Sequence, residues 1–456
     1  MPDRPFEDFA AEARNSGAAT LQRWRARLDD LAPVRESGRV MRVTGPLVQA
    51  IMPSVAIGEL CELREPGQGL IGLGEVVGIE GEHAVLSLHG DTRGLSQRTE
   101  VTPTGQSPAI AVGDFLLGAV IDAHGRMIAA PSRPVAGAGE RIMQPLHGHP
   151  PPPLKKLEIE QPFVTGIRAI DGLLTCGEGQ RLGIFGPPGA GKSTLISDIV
   201  HGSNADVVVC ALVGERGREV GEFVRAVMPD GAASKVVLVV ATSDRPSLER
   251  YKAVLTALSV GEYFRDRGRR VLLVVDSVTR VARALREIGL AAGEPPVRRG
   301  YPPSVFAALP KLFERSGNSE KGRMTAFYTV LVEGEDQDDP IAEETRSLLD
   351  GHIILSDKIA QAGLFPAIDV LMSRSRTMNA VVTPQHRAAA EAIRSMLALY
   401  REVELLIRVG EYQPGRDAAV DKAVAKRPQI LDFLHASARQ HEDLPAVVAH
   451  LEALGR

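Results

Sequence analysis

The sequence predicts an α/β protein in three structural parts: a small β-rich unit, a large domain on a parallel sheet, and a helical end. Three observations carry this. Short strand-like runs separated by glycine turns fill residues 37–102. After a proline-rich stretch, His147-Gly-His-Pro-Pro-Pro-Pro-Leu154, continuous apolar runs alternate with helical patterns for about 200 residues, as in a sheet with helices on both faces. Beyond residue 385 the pattern is mostly helical. A length of 456 residues fits two or three such domains.

Composition narrows the function. Hydrophobic residues make up 44%, enough for a sizeable core. Lysine plus arginine number 53 against 57 acids, a net charge of -4, which argues against binding nucleic acid through wholesale basicity. Aromatics are 4% with one Trp, too few for a single-strand surface of stacked rings. Cys61, Cys176 and Cys210 lie far apart; they form neither zinc spacing nor a disulfide framework and point to a reducing compartment. No stretch approaches the roughly 20 apolar residues of a membrane span. The start, MPDRPFEDFAAEARN, carries early acids and no apolar signal core.

Residues 1–36 are expected to be helical, with Phe6, Phe9 and Ala13 on one face and Leu21, Trp24 and Leu28 at similar spacing. A packing or oligomer-contact helix is the ordinary reading; a membrane-surface helix is opposed by balanced charge. Residues 37–103 hold Gly38–Val43, Leu60–Leu63 and His83–Leu88, short strands of a small barrel or sandwich. Residues 104–384 form the large domain. Its buried strands are Arg181–Phe185, Val207–Val213, Val236–Val240 and Val271–Val275. Between them Tyr251, Val254, Leu255 and Leu258 repeat at helical spacing. Residues 385–456 are read as a small helical domain, from Arg387–Ile393 through Val447–Leu454.

The strongest motif is Gly186-Pro-Pro-Gly-Ala-Gly-Lys-Ser193, which fits G-x-x-x-x-G-K-[ST] between a strand and a helix. Gly186, Pro187, Pro188, Gly189, Ala190, Gly191, Lys192, Ser193 and Thr194 are the expected phosphate cradle. Glycines let backbone N–H groups approach phosphate oxygens, and the helix N-terminus adds a positive dipole end. Lys192 reaches the β- and γ-phosphates and Ser193 ligates Mg²⁺.

Asp276 ends the strand Val271–Val275, where the ligand crevice of an open α/β sheet lies. It is read as the Mg²⁺-linked acid, with a helix cap as the alternative. Glu215 follows the strand Val207–Val213 within Gly214-Glu-Arg-Gly-Arg-Glu219. Two readings stand for it: a base that polarises water, or an ordinary acid in a first helical turn. Arg216 or Arg218 is placed to meet phosphate charge.

Together these motifs resemble the catalytic subunits of rotary ATP synthases. Longer strings are more similar to type III secretion system ATPases: Ala241-Thr-Ser-Asp-Arg245, Asp276–Gly289, Gly300-Tyr-Pro-Pro-Ser-Val305, Tyr328–Gly334, Glu344–Ile354 and Gly410-Glu-Tyr-Gln-Pro-Gly415. The resemblance runs from roughly residue 37 to 440. It implies a RecA-like P-loop ATPase core with an N-terminal β-barrel and a small C-terminal helical domain. It implies ATP and Mg²⁺, Glu215 as the water-activating carboxylate, Arg216 near the γ-phosphate, Asp276 at the metal, and Arg376, within Ser373-Arg-Ser-Arg-Thr-Met378, as an arginine finger donated across a subunit boundary. It further implies a homohexamer at the cytoplasmic base of an export apparatus, peripheral to the inner membrane. Stator and central-stalk proteins and chaperone–effector complexes are its implied partners, and no nucleic acid is. A flagellar export ATPase, a rotary synthase subunit and a hexameric RNA translocase are the alternatives. The family's adenine-stacking tyrosine aligns with Leu331, so the base is expected to meet an apolar contact or one from elsewhere. The acidic loop Glu333-Gly-Glu-Asp-Gln-Asp-Asp339 lacks EF-hand spacing and reads as a solvated loop.

Overall fold

A computed structural model describes Gly17, Thr20, Leu21 and Trp24, and residues 36–456 except 46, 53, 91, 133–138, 229–234, 333–338 and 436–441. The helix expected over residues 1–36 therefore lies outside the described residues save for those four, which are helical; Leu21 and Trp24 are exposed. The acidic loop lies outside them too, except Asp339, whose carboxylate caps the helix Pro340–Leu348.

Six strands, β1 (Gly38–Thr44), β2 (Leu47–Ile51), β3 (Leu60–Glu65), β4 (Gly69–Glu80), β5 (His83–His89) and β6 (Glu100–Pro103), close into a barrel in the order β1-β2-β5-β4-β3-β6. Antiparallel pairing of β1 with β6 completes it, so no strand edge is left open. Alternate residues point inward: Cys61 and Leu63 on β3, Ala84 and Leu86 on β5, Val48 and Ala50 on β2 are all 0% exposed. Burying a Leu or Val of this kind stabilises by about 1.5–3 kcal/mol.

The connecting region carries β7 (Ala109–Val112), β8 (Val120–Ile121), β9 (Met127–Ala129), β10 (Ile142–Pro145), β11 (Pro162–Phe163) and β12 (Cys176–Gly177). The large sheet adds β13 (Arg181–Gly186), β14 (Val207–Val213), β15 (Val236–Ala241), β16 (Arg270–Asp276), β17 (Arg323–Leu331), β18 (Gly351–Ile354) and β19 (Arg374–Ser375). Its nine strands run β19-β18-β13-β17-β16-β14-β15-β8-β9, parallel within and antiparallel only at β19 and β9. Every residue of β14 and β15 is buried, which is why these strands read as unbroken apolar runs.

Helices α1 (Arg168–Leu173), α2 (Lys192–Gly202), α3 (Gly217–Val227), α4 (Ser247–Arg265), α5 (Val278–Ala291), α6 (Pro303–Arg315), α7 (Pro340–Leu348), α8 (Asp357–Gln361) and α9 (Met378–Val381) belong to this domain. The spacing of Tyr251, Val254, Leu255 and Leu258 falls on α4, the helix it predicts. In the structure α4 is buried nearly all round, Glu249, Lys252, Glu262 and Arg265 included. It lies between the sheet and the barrel with its connecting chain: Lys252 Nζ sits 2.6 Å from Glu75 Oε2 of β4, and the Thr256 hydroxyl donates to the Ala123 carbonyl at 2.6 Å.

Helices α10 (Pro384–Arg408), α11 (Ala418–His435) and α12 (Leu444–Gly455) make the C-terminal bundle. It packs on α1, where a Cβ on Gly172 would stand 3.0 Å from the Phe433 ring. Buried His386 shares a 2.7 Å hydrogen bond with the Gly172 carbonyl. Among the described residues, no helix is long and apolar enough to cross a membrane.

Candidate phosphate-binding and hydrolytic site

The phosphate loop leaves β13 at Gly186 and enters α2 at Lys192. Gly189 and Gly191 hold φ of 87° and 83°, a left-handed turn that side chains with a Cβ resist. A Cβ on Gly191 would also stand 3.1 Å from the Phe365 ring. The backbone is thus free to turn its N–H groups toward an anion.

Strand order then places the reacting groups. Strands β13, β16 and β14 end on the same side of the parallel sheet, delivering the loop, Asp276 and Glu215 to one crevice. Lys192 Nζ lies 2.9 Å from Asp276 Oδ1, with both side chains at 10% exposure or less. The Thr329 hydroxyl on neighbouring β17 donates to the same Asp276 oxygen at 2.7 Å. Ser193, Thr194, Glu215 and Asp276 line one cavity of about 620 Å³, which continues between α2 and α3 along Asp198, Glu219, Glu222 and Phe223.

Glu215 is buried, and burial raises its carboxyl to about 7; the nearby Asp276 carboxylate and a hydrogen bond with Glu219 act the same way, while Arg280 and Lys192 oppose them. Arg280 was missed by sequence reasoning. From the first turn of α5 its Nη2 donates to Glu215 Oε2 at 2.9 Å, and its Nη1 donates to the Gly214 carbonyl. The string Asp276-Ser-Val-Thr-Arg280 contained it, four residues after the strand-end acid, but one arginine in that arginine-rich helix carried no distinguishing signal. The Glu215 carbonyl in turn accepts from Ser243 N at 3.0 Å.

Two arginines stand apart from this cluster. Arg216 precedes α3, is 77% exposed along its side chain, and pairs with Glu219 at 3.6 Å; it is at the rim rather than beside Lys192. Arg376 follows edge strand β19, is exposed, and its N–H donates to the Asp350 carbonyl at 3.0 Å. It does not line the cavity of its own chain.

Leu331 is the residue aligned with the family's adenine-stacking tyrosine. It ends β17 beside Gly186, partly buried, with its N–H donating to Thr279 Oγ1 at 2.9 Å. The ring at the phosphate loop is Phe365, 47% exposed. It arrives from a segment distant in sequence from the loop.

A barrel, a helix-flanked parallel sheet carrying a phosphate loop with its strand-end acids, and a helical end define a P-loop ATPase of the ATP synthase type. Residues 40–105 match the beta-barrel domain of the ATP synthase alpha/beta family, residues 166–375 match its nucleotide-binding domain, and residues 382–453 match the T3SS EscN ATPase C-terminal domain. The chain belongs to the type III secretion system ATPases within the ATP synthase alpha/beta family. It is 51% identical over 420 residues to the type 3 secretion system ATPase of Sinorhizobium fredii, covering 91% of this chain and 92% of that one. It is 45% identical to the flagellum-specific ATP synthase of Bacillus subtilis, covering 90% and 92%. The assembled ATPase EscN of the enteropathogenic E. coli type III secretion system superposes with a TM-score of 0.85 at 46% identity, over 92% of this chain and 100% of that chain. EscN has also been solved in complex with its central stalk EscO.

Proposed function

We propose that this chain is the ATP-hydrolysing subunit of a homohexameric ring that drives type III protein export from the cytoplasmic face of the inner membrane. The observation that carries the chemistry is the convergence of Ser193, Asp276 and a buried Glu215 on one cavity at the start of α2, with Lys192 paired to Asp276 at 2.9 Å. Backbone N–H groups of Gly186–Ser193 bind the phosphates, and Lys192 neutralises charge on the β- and γ-phosphates. Ser193 and Asp276 offer a hydroxyl and a carboxylate in that same cavity, a hard oxygen set that fits Mg²⁺. The metal, when bound, screens phosphate charge. Glu215 accepts the proton of the attacking water, and its raised pKa suits a base working near neutrality. Arg280 holds the Glu215 carboxylate in place. Phe365 offers the adenine ring an exposed aromatic face beside the loop.

Arg376 acts on the neighbouring subunit's γ-phosphate, with Arg216 at the rim of the site it meets. A finger of this kind contributes on the order of 10³–10⁵ in rate in well-studied NTPases. The assembled state and stalk complex of EscN support a ring with a central stalk here as well. A stator partner at the N-terminal segment and chaperone–effector complexes at the C-terminal bundle complete the reading. A flagellar export role uses the same chemistry and has a 45% identical relative in its favour; the 51% identity to a secretion ATPase favours the injectisome form.

Glu215→Gln tests the chemistry. It should keep ATP affinity and lose about 10²–10⁴ in turnover. Turnover at the unsubstituted rate would remove Glu215 from the mechanism.

A further inference from the structure

Edge strand β19 presents Arg374, followed two residues later by Arg376, and both are exposed. Arg374 pairs across the sheet with His352 on β18. Burial, and after it the charges of Arg346, Arg376 and Arg374, hold the His352 imidazole below its ordinary range. Arg374 and Arg376 thus bring two exposed positive charges to the same sheet edge as that ring. Among the described residues neither Arg374 nor Arg376 has an ion-pair partner within 4.0 Å. The adjacent carboxylate, Asp350, is already bonded to Arg181 at 3.0 Å. Like charges gathered in this way repel one another, and a partner of opposite sign relieves it.

The complementary surface is the cavity between α2 and α3. Its outer wall carries Asp198, Glu219 and Glu222 over an apolar floor of Val220 and Phe223. Glu222 is bonded to Arg218 at 2.6 Å, and Glu219 faces Arg216 at 3.6 Å. These are exposed pairs, of a kind that contributes little and exchanges readily. The basic edge cannot reach this wall within one chain. β19 and β14 are first and sixth in the sheet, five strand spacings or about 24 Å apart.

We propose that the basic edge of one subunit seats in the acidic cavity mouth of a second copy of this chain, with Arg374 pairing to Glu222 and Glu219 and so setting the register in which Arg376 meets the phosphates. This rests on the ring reading above and adds an orienting residue outside the reacting groups. The occupant is a second copy because the two surfaces are complementary in charge, are separated within the chain, and occur once on every subunit.

The test uses the full chain with Arg374→Gln, Arg374→Glu, Glu222→Arg and the double variant Arg374→Glu/Glu222→Arg. Sedimentation and ATPase rate per subunit are followed against protein concentration. Each single variant should shift the assembly midpoint to higher concentration by about fivefold per interface. Rate should be recovered at high concentration, and the double variant should move back toward the parent. Assembly of Arg374→Glu at the parent's midpoint, or a double variant no better than the two singles combined, overturns the proposal. So does inorganic phosphate that stabilises the parent but not Arg374→Gln while assembly is unchanged, since the patch would then hold a free anion. A parent rate independent of concentration removes the ring reading itself, a different outcome from failure of Arg374 alone.

Discussion

Lys192 and Asp276 lie within 2.9 Å of each other at the foot of the phosphate loop, and Glu215 and Arg280 within 2.9 Å just beyond. The two pairs hold opposite charges at nearly fixed distance in a site of low exposure, where charge counts for more than in water. Arg280 is one of two cations opposing the rise in the Glu215 pKa. Removing it by Arg280→Ala should raise that pKa further and move the acid limb of kcat/KM to higher pH. A loss of about tenfold at pH 7 that narrows at pH 9 is the expected signature. A loss equal at both pH values would mean that Arg280 acts otherwise than through Glu215. The loop and both acids were legible because each is tied to the chain by a strict spacing: six residues of loop, or the last apolar residue of a strand. Arg280 and Phe365 were not, because their placement depends on α5 packing and on a distant segment folding over Gly191. The finger role expected of Arg376 came only from family resemblance, and its distance from its own cavity is visible only through strand order.

At the scale of elements, α4 shows how far pattern reading goes. Its apolar spacing identified a helix, yet Lys252 at 1% exposure and Glu249 at 9% belong to the interior. The reason is tertiary: the barrel and its connecting chain cover the face of α4 turned away from the sheet. There Glu75 meets Lys252 at 2.6 Å and His147 at 2.8 Å, while His89 stacks on His124 with centroids 4.7 Å apart and His124 faces Glu249. Truncating one partner of a buried pair leaves the other uncompensated. Lys252→Met should therefore cost about 3–5 kcal/mol, and Glu75→Gln/Lys252→Met less than the single change. Chemical denaturation measures both; a double variant worse than Lys252→Met would contradict the pairing. The same cluster gives a pH dependence. Burial, with Lys252 and His124 nearby, lowers His89 from 6.5 to about 4. Between those values the unfolded chain takes up a proton that the folded chain refuses, so stability falls as pH falls through that window. His147, His89 and Lys252 hold Glu75 below the ordinary carboxylate range against its burial. Its contribution is full above 4.5 and is lost as pH falls further, so both groups act in the same direction. Hydrogen exchange in β4 and β5 should accelerate between pH 7 and 4, and exchange there unaffected by acid, after correction for intrinsic rate, would show that the cluster does not hold the barrel down.

For the whole molecule, the sheet order separates what one subunit can do alone from what it cannot. Loop, Lys192, Asp276 and Glu215 meet at one side of the sheet, while Arg376 follows edge strand β19, five places from the strand β14 that precedes Glu215. On the proposed reading, a transition state charged on the γ-phosphate needs two chains, one giving the pocket and one giving the Arg376 guanidinium. Two consequences separate this from a self-sufficient monomer. ATPase rate per subunit should rise steeply with protein concentration, because only assembled interfaces are complete. Mixing Arg376→Ala with Lys192→Ala subunits should restore activity that neither has alone. At equal amounts, one interface type in four pairs an intact pocket with an intact finger if assembly is random. Recovery should therefore approach about a quarter of the parent rate when interfaces act independently. Cooperation around the ring would reduce it below that figure without abolishing it. Mixtures as inactive as their components, at concentrations where sedimentation shows mixed rings, would mean that Arg376 serves its own chain or none.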